Sequence, residues 1–285
     1  MEKNQNKKPA VINKKLIKVL AVLLGVVVLV WGIWRIPWLV KVAESSLEPL
    51  HLPEGFTITA HAGALNTEDN SLESIKTSID FILVQLEGSG ILEVDVRFTA
   101  DGTPVLAHNT VSAGKSYVTL AELFALLQPC PGIRVNLDLK EKTNLAEVCR
   151  LGQEYRVLPQ LFFTGVGYDA VDLVRQTGGG IPYYLNADIS SALRDNRDEL
   201  NQLAYEMKLL GAVGLNISYR QASRLLVEVM HENDLLVSLW TVNAKDAMQV
   251  VLSMAPDNIT TRNPDVLLGI IAERQQLEQP EQAAS

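Results

Sequence analysis

From Phe56 onward, short runs rich in β-branched and aromatic residues alternate with longer runs whose apolar positions recur at helical spacing. The extended runs are 56–62 (FTITAHA), 91–97 (ILEVDVR), 134–140 (RVNLDLK), 160–164 (QLFFT), 181–186 (IPYYLN), 213–218 (VGLNIS), 235–241 (LLVSLWT) and 258–261 (NITT). Between and after them the pattern predicts helices over 71–86, 119–128, 144–155, 169–176, 192–209, 221–233, 244–254 and 264–277. Pro264 opens the last at a favoured first-turn position. Eight strand–helix units over about 220 residues predict an α/β fold, one closed (β/α)8 TIM barrel. An open doubly wound sheet is the alternative, but no Gly-rich dinucleotide fingerprint follows a strand. Gly178, Gly179 and Gly180 read as a turn before the fifth run.

The segment before this pattern is different. From Val19 to Trp34 there is no charged residue, and Leu16 to Arg35 makes 20 residues, about 30 Å of helix. Lys18 and Arg35 bracket it, and Trp31, Trp34 and Trp38 cluster at its far end as in an interfacial belt. A cleaved signal peptide would have a shorter apolar core and small residues after it; here Trp-Arg-Ile-Pro-Trp follows. The reading is an uncleaved single-pass transmembrane helix. The expected divisions are a basic cytoplasmic tail over 1–15, a membrane anchor over 16–40, a linker over 41–55, the barrel over 56–278 and a tail over 279–285.

Charge sharpens this division. Residues 1–41 carry eight basic side chains and one acid, while 42–285 carry 17 basic and 32 acidic ones. The basic end orients the helix with its N-terminus in the cytoplasm and places the barrel in the periplasm or extracellular space. An acidic body excludes nucleic acid as a general partner. Cys130 and Cys149 are too few for a disulfide framework or a zinc site; they either pair or remain separate core thiols. Asn216 and Asn258 head glycosylation sequons but fall in predicted strands, and His51 and His231 read as incidental.

Barrel enzymes carry their chemistry at the C-terminal ends of the strands. His61 closes the first run there, although a lone histidine in such a place is often structural. Glu93 and Asp95 are two apart and share a face of the second. His108 closes the apolar extended stretch 104–108, and Asn136, Asp138 and Lys140 share a face of the third run. Three carboxylates with oxygen-only ligation suit a hard cation, Ca2+ or Mg2+. Two histidines beside it suit general acid and base work, and Lys140 suits an anion such as phosphate. The pattern points to metal-assisted phosphoryl chemistry; buried polar groups satisfying one another are the alternative.

The order HAG, DNSLESI, EVDVRFTADGTPVLAHN, NLDLK, VSLWTVN and DNITTRNPDVL resembles the glycerophosphodiester phosphodiesterase family over about Thr57 to Leu268. The resemblance implies a phospholipase C-like barrel that hydrolyses a phosphodiester at one divalent cation. It implies catalytic roles for His61 and His108, metal ligation by Glu93, Asp95 and Asp138, and substrate contacts from Lys140 and Trp240. Asp69, read as a further substrate-binding residue, stands where that family has Glu, Asn109 where it has Asp, Asp138 where it has Glu, and Ala62 where it has an Arg. Arg97 shares the parity of Glu93 and Asp95 and is either the replacement for that Arg as a substrate-binding residue or a surface residue. The ten-residue loop 109–118 is short for the family, which favours an open mouth and a lysophospholipid-like diester beside small glycerophosphodiesters. Two alternatives follow from the departures: a barrel that binds a phosphorylated headgroup without turnover, or a lysophospholipase D-like enzyme that stops at a cyclic phosphate.

Overall fold

The structure is a computed structural model that describes residues 14–278, with part of the side chains in the first helix left out. Most of the expected basic tail and all of the expected tail 279–285 lie outside the described residues. Two compact units divide between Leu47 and Glu48.

The first unit holds α1 (Lys14–Leu47), a 34-residue helix with Pro37 inside it. It continues past the expected end of the anchor into the expected linker. Residues 41–47 (KVAESSL) contain no Gly or Pro, and the helix ends where Pro49 disfavours helical backbone at Glu48. Among the described residues no helix is long and apolar enough to cross a membrane.

Among the described residues the second unit is built on nine strands: β1 (Thr57–Ala60), β2 (Ile91–Phe98), β3 (Pro104–Leu106), β4 (Arg134–Leu139), β5 (Leu161–Val166), β6 (Tyr183–Leu185), β7 (Gly214–Ser218), β8 (Leu236–Trp240) and β9 (Asn258–Thr261). Eight are parallel. They pair in the order β1-β9-β8-β7-β6-β5-β4-β2, and β1 pairs with β2 to close the barrel. The helices are α2 (Leu72–Gln85), α3 (Leu120–Leu127), α4 (Leu145–Glu154), α5 (Val171–Thr177), α6 (Ser191–Arg194), α7 (Arg197–Leu210), α8 (Arg224–Glu232), α9 (Lys245–Leu252) and α10 (Pro264–Glu278). Side chains start several of them: Ser71 accepts the Ser74 N–H, and Thr119 with Glu122 forms a reciprocal capping box at α3.

The stretch 104–108, expected only as an extended run, supplies the ninth strand. β3 is antiparallel to β2, with Val96 opposite Leu106 and Phe98 opposite Pro104. The chain therefore turns at the top of β2 and comes back down, so that the Ala107 N–H reaches the Asp95 carbonyl at 3.0 Å. This return brings His108 to the level of the inward carboxylates.

Strand alternation gives the barrel two faces. Leu92, Val94, Val96, Val135, Leu137 and Phe163 are buried on the outer face, where surrounding helices cover a parallel sheet. The inner face is layered. Ile91, Phe162 and Tyr184 cluster low in the barrel, with the Phe162 and Tyr184 rings 5.4 Å apart and the Arg134 guanidinium 4.8 Å over Phe162. Parallel register then places Glu93 opposite Asn136, and above them Asp95 opposite Asp138 and Asp138 opposite Thr164. An apolar plug thus closes the floor under a polar upper layer. Cys130 and Cys149 are both free thiols. Asn216 and Asn258 are buried, so neither sequon is presented to solvent. His231 is held by Asp257, with Nε2 2.8 Å from Oδ2.

Candidate active site

The upper layer opens into a cleft of about 330 Å3 whose lining includes His61, Glu93, His108, Asp138, Lys140 and Trp240. Six sequence-derived candidates, carried on or just after β1, β2, β3, β4 and β8, therefore meet in one place. β1 and β2 are in register with Ala60 opposite Leu92, so the next residue, His61, comes beside Glu93. His61 Nδ1 lies 2.9 Å from the Ala62 carbonyl and 3.8 Å from Glu93 Oε2. A carbonyl only accepts, so Nδ1 carries the proton and Nε2 is left to exchange one. His108 Nδ1 makes a longer contact, 3.4 Å, to Asn109 Oδ1.

The carboxylates are anchored individually. Glu93 accepts the Ala62 N–H at 2.7 Å. Asp95 accepts from Asn70 Nδ2 at 2.7 Å and returns its own N–H to Asn70 Oδ1 at 3.0 Å. Asp138 accepts from Thr164 Oγ1 at 3.3 Å. Glu93, Asp95 and Asp138 each bring an oxygen within 4.8 Å of the others. Glu93 and Asp95 are only 3% and 1% exposed. Burial pushes the Glu93 carboxyl up to about 7; His61 opposes this, and Asp95 and Asp138 add to it. Like charges so close and so dry need a cation. Lys140 meets part of that need, with Nζ 3.0 Å from Asp95 and 2.5 Å from Asp138. Burial works against the ammonium, but Asp138 and Asp95 outweigh it and hold its pKa above the ordinary lysine range. With all three acids ionised and Lys140 charged, the cluster carries a formal charge of about −2, the complement of one divalent ion with oxygen ligands. The donor set fits a hard cation.

Of the three remaining candidates, Asp95 lies buried in the carboxylate cluster without lining the cleft, and two fall elsewhere. Arg97 is absent from the cleft lining; its Nε donates to the His108 carbonyl at 3.0 Å and its Nη1 to Glu141 at 2.5 Å. Parity gave its face correctly, but β2 extends upward along β3, and that height aligns Arg97 with the backbone of His108. Asp69 is bidentate to Arg262, at 2.5 and 2.6 Å. Burial opposes, but the hydrogen bonds from Arg262 hold Asp69 below the usual carboxylate range, and His61 and His108 add to the pull.

Sequence reasoning did not single out Asn70, Thr164 or Arg262. Asn70 directly follows Asp69 in a quoted motif, so its place was marked, though its role as the clamp on Asp95 was not. Gly165 lies at φ +70, and a Cβ there would stand 2.6 Å from Asp138 Oδ1. Glycine at this position lets the backbone approach the carboxylate.

No protein-family model and no curated protein matches the chain in sequence. Solved structures do match in fold. A protein from Silicibacter pomeroyi DSS-3 assigned as a glycerophosphoryl diester phosphodiesterase is 19% identical with a TM-score of 0.61, over 80% of this chain and 97% of that one. A glycerophosphodiester phosphodiesterase from Parabacteroides distasonis is 17% identical with a TM-score of 0.59, over 77% and 98%. A phosphodiesterase from Oleispira antarctica, solved with the product sn-glycerol-3-phosphate, is 19% identical with a TM-score of 0.57, over 78% and 97%. The chain has the glycerophosphodiester phosphodiesterase fold. The likeness read from the motifs is thereby met at the level of the barrel.

Proposed function

We infer that the chain is a divalent-cation-dependent phosphodiesterase acting on glycerophosphodiesters or lysophospholipid-like diesters. The observation that carries this reading is the meeting of His61, His108, Glu93 and Asp138 in one cleft, with Asp95 buried beside them in the same carboxylate cluster. Those three carboxylates would hold the cation, which when bound polarises the phosphoryl oxygens. The Nδ1–H bond from His61 to the Ala62 carbonyl fixes the tautomer whose Nε2 can take or give a proton. His108, fixed through its carbonyl by Arg97, is the partner group. One histidine removes the proton from the attacking hydroxyl and the other protonates the departing alkoxide, so no charged alcohol leaves. Lys140 stays in the cleft as a cation for the phosphate, and Trp240, 39% exposed at the end of β8, offers a flat amphipathic wall to the alcohol.

The fold likeness to phosphodiesterases supports the reaction class, and the Oleispira product complex supports a glycerol phosphate moiety as ligand. Room for a larger alcohol comes from a second groove of about 550 Å3 that shares His108 with the cleft and is lined by Leu72, Tyr117 and Val118. Although no helix among the described residues is long and apolar enough to cross a membrane, the N-terminal sequence keeps, as a proposal only, the reading of a single-pass anchor with the barrel outside the cytoplasm. The uncharged run Val19–Trp34 and its flanking basic residues support this, as does the exposure of Val22, Leu24 and Val27. Alkaline carbonate extraction of membranes tests it: release of the full chain into the soluble fraction would remove the anchor.

The activity is tested on the detergent-solubilised full chain with a panel of glycerophosphodiesters and lysophospholipids. Chelator should abolish turnover, and His61→Ala and His108→Ala should each lower kcat by about 10²–10⁴-fold. Turnover indifferent to chelator and to both substitutions would overturn the site. Cation binding with no turnover of any diester would instead make the chain a headgroup-binding barrel.

A further inference from the structure

The cleft is acidic, yet the ligand proposed for it is an anion. Among the described residues lining it, Lys140 is the only Lys or Arg, and its ammonium already bridges Asp95 and Asp138. Arg97 is taken up by Glu141 and the His108 carbonyl. A phosphate reaching the cleft therefore needs a further donor. Arg262, between β9 and α10, is not itself in the cleft lining but stands beside it, against the turn that follows His61.

The chain fixes Arg262 closely. Its N–H donates to Asn243 Oδ1 at 2.8 Å, its carbonyl accepts from the Leu65 N–H at 2.9 Å, and Asp69 takes its guanidinium in a fork. The side chain lies over Gly63, two residues past His61. Gly63 has φ +75, and a Cβ there would stand 2.9 Å from Arg262 Nη1 and 2.1 Å from Asp69 Oδ1. Glycine is thus required in order that the pair can sit against the His61 turn. Thr260, two residues before Arg262, lines the cleft itself. The hydrogen bonds to Asp69 hold the guanidinium above the ordinary arginine range against burial, and the nearby Glu93 and Asp95 add to that pull. The fork to Asp69 uses two of five N–H donors, and the Arg262 side chain remains 36% exposed. Several donors are left for an incoming anion, on a group whose geometry matches phosphate oxygens.

We propose that Arg262 is a phosphate-binding residue of this cleft and that Asp69 is the positioning residue that aims it. The inference rests on the phosphodiesterase reading for the ligand class, but its test does not require turnover. Binding of sn-glycerol 3-phosphate to the full chain in detergent, with Ca2+ or Mg2+ saturating, is measured by calorimetry. Arg262→Ala should weaken it by about 10- to 100-fold, the range of a charge-assisted pair. Arg262→Lys should fall between, and Asp69→Asn should weaken binding by a smaller factor with Arg262 still present. Added guanidinium should restore part of the affinity of Arg262→Ala, a rescue that a purely structural tie would not show. Arg150→Ala, which removes an exposed cation on α4, should change nothing. Unchanged affinity in Arg262→Ala, even with a lower Tm, would overturn the inference, as would wild-type protein that binds no sn-glycerol 3-phosphate. If Arg262→Ala fails to fold, Arg262→Lys with unaltered affinity would overturn it equally. Arg262-dependent binding in a wild-type chain that cleaves no diester would sink the enzymatic reading and leave this one standing.

Discussion

Glu93 links the proposed cation to protons. In the cation-free cleft its carboxyl is pushed up to about 7, chiefly by burial, so below that pH a proton occupies the position the cation needs. Binding must then release close to one proton, and affinity must fall as the pH falls. With the ionised fraction set by a pKa of about 7, moving from about pH 7.5 to about pH 5.5 should weaken cation binding by about 25-fold. Glu93→Gln should remove that dependence and weaken binding at about pH 8 by more than tenfold, because it deletes a ligand rather than its support. The readout is calorimetric titration of Ca2+ or Mg2+ into the full chain, in buffers of different ionisation enthalpy. The slope of heat against buffer enthalpy counts the protons released.

The same shift fixes the sign of a stability effect. The folded-state pKa lies above the ordinary value of 4.5, so between those limits the folded chain binds more protons than the unfolded one. The cation-free protein should therefore lose stability as pH rises from about 4.5 to about 7, by at most about 3 kcal/mol. Saturating cation should remove the loss. A proton count of zero at about pH 6, with affinity independent of pH, would show that Glu93 is already ionised and refute the reasoning.

Three further outcomes follow from particular contacts. Asn70→Ala strips Asp95 of both its Asn70 bonds and should cost about 1–3 kcal/mol in urea unfolding, with weaker cation binding beside it. Gly165→Ala forces a Cβ into the space of Asp138 Oδ1 and the Leu139 carbonyl at positive φ; it should destabilise by more than about 1 kcal/mol and lower cation affinity, and wild-type values for both would contradict the close approach. Trp240→Ala should raise KM for diesters with large alcohols more than for small ones, as steady-state kinetics on matched substrates would reveal.

Much of the barrel was legible because each unit obeyed one period at a time. Runs such as ILEVDVR and RVNLDLK put apolar residues against the helices and acids inside, and a one-residue slip would have reversed both faces. That constraint also placed Glu93, Asp95 and Asp138 together, since parallel register sets Asp95 opposite Asp138. His61 could be read as a strand end. His108 could be recognised but not positioned, because its place depends on β3 folding back along β2. Arg97 shows what parity leaves out: it gives the face of a strand and not the height along the barrel. Arg262 and Asp69 meet only when the loop after β1 packs on the loop after β9, and nothing in either local sequence announces the partner.

The acidity of the body and the anionic character of the proposed ligand are compatible because the charges are separated by depth. Glu93 and Asp95 lie in the barrel layer, almost without solvent, where an ion is favoured only beside its counter-charge. Lys140 neutralises part of that cluster from above, and one divalent ion would bring the remainder to about zero. The phosphate would then meet a layer without net repulsion, together with the remaining N–H donors of Arg262 at the rim. In that arrangement the net charge of the chain has little bearing on substrate attraction, because distant surface acids act through screened solvent and the rim groups act at contact. Association of sn-glycerol 3-phosphate should then depend weakly on ionic strength and strongly on Arg262, whereas recognition by a diffuse field would show the opposite pattern.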